Sequence, residues 1–113
     1  MPTTQLTSAP HDWLHHLEDE ADAAFLYRTL ATLEQDPGRV ELYRKLAGVE
    51  DRHVVMWETL LRDHGHDIPA LRPTLRARGM AWLARRFGPG FLGPMLLEEE
   101  GREVKSYLGM YRQ

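Results

Sequence analysis

From Trp13 to Glu34 the chain repeats an inward position every four and then three residues: Trp13, Leu17, Glu20, Ala24, Tyr27, Ala31 and Glu34. That spacing keeps one stripe of a helix turned toward a neighbour, so it commits the segment to a bundle helix. Leu26, Leu30 and Leu33 widen the apolar face, while Glu20 puts an acid where a packing residue is expected. After a turn at Gln35-Asp36-Pro37-Gly38 the pattern resumes with Tyr43, Leu46, Glu50, His53, Trp57 and Leu60, again polar at its middle. Asp36 suits a helix N-cap and Pro37 the first helical position. Gly65 suits a left-handed helix end.

A short turn makes the two helices antiparallel neighbours. Glu20 lies about 15 residues before the turn, and Glu50 to His53 about as far after it. At roughly 1.5 Å per residue the polar positions meet at one height. Residues three apart share a helix face, so Glu50 and His53 can address one metal ion together. One Glu from one helix and Glu-x-x-His from the next is half of a carboxylate-bridged di-iron site. In such a site Glu50 bridges two metals, His53 binds one of them terminally, and Trp57 covers the group from one side.

Beyond the connector at His64-Gly65-His66-Asp67-Ile68-Pro69, a short amphipathic helix is expected over 74–87. Leu75, Trp82, Leu83 and Phe87 form its apolar side, against Arg72, Arg76, Arg78, Arg85 and Arg86. Gly88-Pro89-Gly90 breaks the chain, and Pro94 starts a last helix. That helix echoes the first: Leu17-Glu18-Asp19-Glu20 with Tyr27 is answered by Leu97-Glu98-Glu99-Glu100 with Tyr107. A repeated helix with an interior Glu is what a pseudo-two-fold metal bundle needs. Glu100 and Glu20 are then terminal carboxylates, and Glu103, one turn on, is a ligand in one redox state. Tyr27 and Tyr107 orient the carboxylates by hydrogen bonds. Glu-x-x-His alone is a common chance pair and core tyrosines are ordinary. The weight lies in the combination, because several buried carboxylates aimed at one place need a cation. Iron favours such a mixed carboxylate and imidazole shell. His11, His15, His16, His64 and His66 are expected at the surface. Glu34 is expected to pack at the turn with Arg39 as its partner.

Composition narrows the alternatives. The chain has 113 residues and no cysteine, so thiolate metal sites, disulfides and cysteine nucleophiles are excluded. Met1 to Asp67 carries thirteen acids against six Arg/Lys residues, while Ile68 to Leu97 carries five arginines and no acid. An acidic helical body with a basic connector argues against a nucleic-acid-binding face and is compatible with a connector that meets something anionic. The polar segment 1–9 is expected to be disordered and shows no signal-peptide pattern, and no stretch is apolar enough to span a bilayer. A cytoplasmic location is the default expectation. Residues 10–113 are expected to form one all-α domain, with helices over about 10–35, 37–64, 74–87 and 94–112. Ser8 and Asp12 are the candidate caps of the first.

The order and spacing of Glu20-x6-Tyr27, Glu50-x-x-His53, and Glu100/Glu103 with Tyr107 resemble the ligand pattern of rubrerythrin-type domains in the ferritin-like superfamily. Three further phrases, Leu26-Tyr27-Arg28-x-Leu30-Ala31, Glu34-x-Asp36-Pro37-x-Arg39 and Lys45-Leu46-Ala47-x-x-Glu50-x-Arg52-His53, narrow the likeness. They are closest to the ferritin-like domains associated with vacuolar-iron-transporter-type membrane proteins. The resemblance runs from Trp13 onward and is most specific in the first two helices. It implies a ferritin-like antiparallel bundle, two bound iron ions (with Mn or Zn as substitutes), and oxidation of Fe(II) by oxygen or peroxide in iron handling or detoxification. It also implies a membrane iron transporter as a partner, which would bring the domain to the inner face of a membrane. The chain lacks the cysteines of a rubredoxin centre. It also lacks the usual fourth helix with a second Glu-x-x-His. Three explanations stay open: the chain is a fragment, a homodimer or higher homo-oligomer completes the site, or the site is incomplete and the domain is an interaction module.

Two other functions compete with iron oxidation. One is a non-catalytic regulatory domain docking on a membrane transporter through its Arg-rich connector. The other is a membrane-surface module using Trp82, Phe87, Phe91 and the arginines.

Overall fold

In a computed structural model the chain is described over residues 10–98, with side chains from Asp12 onward. The expected disordered segment 1–9, with Ser8, lies outside the described residues, as do Glu100, Glu103, Tyr107 and the last helix beyond Glu98. All regular structure among the described residues is helical: α1 (Pro10–Leu33), α2 (Pro37–Asp63), α3 (Leu75–Phe87) and α4 (residues 92–98).

Local chemistry sets the ends. Pro10 opens α1, so Asp12 falls inside the first turn rather than at the cap, where its charge still suits the helix dipole. The helix stops at Leu33, short of residue 35. The Glu34 carboxylate accepts from the Asp36 amide at 3.2 Å, and Pro37 disfavours a helical conformation for the residue before it. Asp36 caps α2, its carboxylate accepting the Arg39 amide at 3.0 Å. At the other end the Gly65 amide donates to the Arg62 carbonyl at 3.0 Å and the His66 amide to that of Leu61 at 2.9 Å. With Gly65 at φ +81° this is a complete Schellman ending.

The long helices run antiparallel, since contacts that advance along α1 retreat along α2. Trp13 meets His64, His16 meets Trp57, Glu20 meets His53, and Arg28 meets Asp51. Leu17, Glu20, Ala24, Leu26, Tyr27 and Leu30 of α1 are buried. The face of α2 turned to them is Tyr43, Ala47, Glu50 and Leu61. Leu46, His53 and Leu60, expected on that seam, are half-buried along its flank.

α3 lies against α1 with a different face from the expected one. Ala77, Ala81 and Ala84 are fully buried, while Leu75, Trp82 and Phe87 are exposed. Alanines at four- and three-residue spacing let the helix axes approach closely, which larger side chains would prevent. The helix is anchored at its start. Thr74 caps it, its hydroxyl oxygen accepting the Ala77 amide at 3.1 Å. Buried Asp22 of α1 in turn accepts the Thr74 amide at 3.1 Å and the Thr74 hydroxyl at 2.7 Å. α4 closes the core with Leu92 and Leu96, packed on Tyr27 and Tyr43.

Candidate metal centre

Glu20, Glu50 and His53 converge midway along the α1–α2 pair. Each offers a ligand atom within 4.8 Å of the others. Nδ1 of His53 lies 3.2 Å from Oε2 of Glu20 and 3.3 Å from Oε1 of Glu50. The local reasons are simple. Glu50 and His53 are one turn apart on α2, and the tight link at residues 34–36 sets the stagger that brings Glu20 level with them. Glu20 is 7% and Glu50 2% exposed, so two carboxylates share a region from which water is largely excluded. The His53 side chain keeps 33% of its surface, so the cluster is open to solvent on that side.

A carboxylate pair in such a place needs positive charge nearby. Two sources fit the geometry. A protonated His53 can present its Nδ1–H to both oxygens, though one hydrogen cannot point well at two acceptors. A metal ion fits the same atoms. Metal–ligand bonds of about 2.1 Å at right angles put neighbouring donors about 3 Å apart, close to both His53 distances. As a ligand, His53 is neutral and uses its Nδ1 lone pair, with the ring proton on Nε2.

Tyr27, one helical face along from Glu20, is 1% exposed, and its hydroxyl donates to the Leu96 carbonyl at 3.2 Å. It therefore ties α4 to α1 two turns further along the bundle than Glu20. Trp57, half-buried and one turn past His53, stacks flat on His16, one turn before Glu20, with ring centroids 4.8 Å apart and planes at 10°. The stacked pair closes the end of the cluster nearest the start of α1. On the outside, Arg28 Nη1 donates to both carboxylate oxygens of Asp51, at 3.0 and 2.9 Å, and clasps the two helices near the site.

Apart from His16, which reaches the site only through its stack on Trp57, the other described histidines and Glu34 lie away from the cluster. His15, His16, His64 and His66 are exposed. Glu34 pairs with Arg39 at the turn, at 3.4 Å. Glu100, Glu103 and Tyr107 lie outside the described residues. Sequence spacing gave no hint of Asp22, whose partner is far along the chain, nor of the His16–Trp57 stack, which joins an apparently superficial histidine to the site. No known family model matches the chain, and neither a curated protein nor a solved structure matches it.

Proposed function

We propose that the α1–α2 pair binds iron through Glu20, Glu50 and His53, as the most complete part of a carboxylate-bridged centre that takes Fe(II) as substrate. The observation that carries this is the His53 Nδ1 position, 3.2 and 3.3 Å from two buried carboxylate oxygens of different helices. Glu50, one turn before His53 on α2, would bridge two ions, with Glu20 and His53 as terminal ligands. Two Fe(II) ions oxidised to Fe(III) supply the two electrons that reduce oxygen to hydrogen peroxide, or hydrogen peroxide to water, with two protons taken up.

The chain's own part is positioning. Buried carboxylates offset the charge of the metal where little water competes. The partly exposed imidazole gives the site access to solvent. Three ligands do not satisfy two metals, so further donors are required. Glu100 and Glu103 are the proposed source, in the manner of a ferritin-like bundle, or a second copy brings its own Glu20, Glu50 and His53 across a two-fold axis. The half-exposed His53 flank of α2, with Leu46 and Leu60, is where such a helix would approach.

The test is anaerobic Fe(II) titration of the full chain, with metal content and native mass measured together. Two irons per completed site are expected, and none in a Glu50→Ala/His53→Ala double variant that keeps its helical signal. Iron uptake by the double variant equal to that of the parent would refute the assignment. Parallel titrations with Mn(II) and Zn(II) identify the preferred metal.

A further inference from the structure

α3 turns its large apolar side chains away from the protein. With Ala77, Ala81 and Ala84 packed on α1, Leu75 is 81%, Trp82 60% and Phe87 67% exposed. At about 100° per residue, Leu75, Trp82 and Arg86 point directly away from the alanine stripe. Arg78 and Arg85 line one flank, and Leu83, Arg76 and Phe87 the other. Phe91, in the turn beyond the helix, is exposed as well. Large apolar side chains exposed in one patch mark an interaction surface.

The charge of the same surface says what kind. All five Arg/Lys residues between Ile68 and Leu97 are arginines, and no acid accompanies them. Among the described residues no ion pair engages Arg85 or Arg86, and the Arg86 guanidinium lies 5.1 Å over the Phe87 ring. Tryptophan, leucine and phenylalanine interleaved with arginines on a convex helix face need a partner that is anionic at its surface and apolar just beneath. An acidic protein surface offers the first property without the second. Arginine stems can lie along apolar material while their heads stay at the charged level.

We propose that the outward face of α3 docks on an anionic membrane surface, with the helix in the interface plane. Trp82, Leu75 and Phe87 enter the headgroup boundary, and Arg78, Arg85 and Arg86 meet lipid phosphates. No helix among the described residues is long and apolar enough to cross a membrane, so the contact is peripheral. It is independent of the metal centre.

The test is co-sedimentation of the full chain with vesicles of phosphatidylcholine alone, and of phosphatidylcholine with phosphatidylserine. Binding is expected only with phosphatidylserine, at low salt, and is released at high salt. Arg85→Gln/Arg86→Gln weakens it about 25-fold, roughly fivefold per arginine. Trp82→Ser/Phe87→Ser, with every charge kept, also weakens it, and both variants retain the parent's far-UV helical signal because the sites are exposed. Absence of binding to anionic vesicles at low salt overturns the proposal, as does full-strength binding by both variants. A salt-sensitive dimer that both variants abolish, without vesicle binding, assigns the face to the acidic surface of a second copy instead.

Discussion

Nδ1 of His53 stands 3.2 Å from Oε2 of Glu20, across the interface of two antiparallel helices. The spacing serves either a shared proton or a shared metal ion, and stability measurements tell the two apart. Mn(II), a redox-quiet probe, at about a hundred times its dissociation constant is expected to raise unfolding stability by about 2.7 kcal/mol. His53→Ala and Glu20→Gln are expected to abolish that rise. A rise of equal size in His53→Ala would place the metal elsewhere.

Two buried carboxylates that share one place repel each other and are costly to desolvate. Replacing Glu50 by an apolar group of similar volume removes one of two like charges and leaves the Glu20–His53 pair intact, and binding sites commonly trade stability for function. Glu50→Met, unfolded by heat in the presence of a chelator, is therefore expected to show a Tm no lower than that of the parent. It is also expected to lose the metal-induced rise. A clear drop in Tm under chelation would mean that Glu50 holds the fold together and that its burial is structural.

The anchor of α3 rests on a different carboxylate. Asp22 accepts both the amide and the hydroxyl of Thr74, and the Thr74 hydroxyl oxygen caps the helix. Removing a buried acceptor with two partners costs about 1–3 kcal/mol, and losing the cap about 1 kcal/mol. Asp22→Ala and Thr74→Ala are expected to destabilise by these amounts in urea unfolding. The double variant is expected to lose less than the sum, because both break one network. Strict additivity would show that the two residues act separately.

The α1–α2 pair was legible because its signals are local. Heptad-like spacing fixes which residues face inward, Asp36-Pro37 fixes where α2 begins, and a three-residue link fixes the relative height of Glu20, Glu50 and His53. Legibility failed where size and distance matter more than period. The apolar residues of α3 have helical spacing on two sides, and volume decides between them: three alanines permit close packing, while Trp82 and Phe87 do not fit. Nor does any periodicity announce that Asp22 meets Thr74 fifty-two residues later. On α2, Ala47 and Leu61 lie deeper than Leu46 and Leu60 because the helix is rolled by part of a turn relative to the expected seam. The all-helical class was thus readable in the sequence, whereas the packing of α3 required the side chains themselves.

The close approach of α4 to α2 depends on one missing side chain. A Cβ added to Gly93 would collide with the Tyr43 hydroxyl and lie 3.3 Å from its ring carbon Cζ. Tyr43 is 3% exposed, so the ring has little room to yield. Gly93→Ala is expected to destabilise by about 1–3 kcal/mol, as overpacking does. Tyr43→Phe in the same chain is expected to recover part of the loss by deleting the clashing oxygen. Failure of that rescue in a denaturant double-mutant cycle would place the strain in the backbone of residues 92–98.

Tyr43 contributes an alkaline pH dependence to the stability of the fold. Burial raises the pKa of its phenol above the ordinary value of 10.0, and the Glu34 carboxylate adds to the effect while Arg39 opposes it. In the unfolded chain the phenol releases its proton near 10.0, whereas the folded chain still holds it. Between those two values the native state binds more protons than the unfolded state, so unfolding stability falls as pH rises. The contribution is complete below the unfolded value and is lost as pH climbs through the folded one. Urea midpoints taken from neutral to strongly alkaline pH are expected to decline from about pH 10 upward. The decline is expected to be shallower in Tyr43→Phe, which has no phenol proton to lose. Parallel curves for parent and variant would show that Tyr43 ionises as readily in the native protein as in the unfolded chain, and that its burial carries no electrostatic penalty.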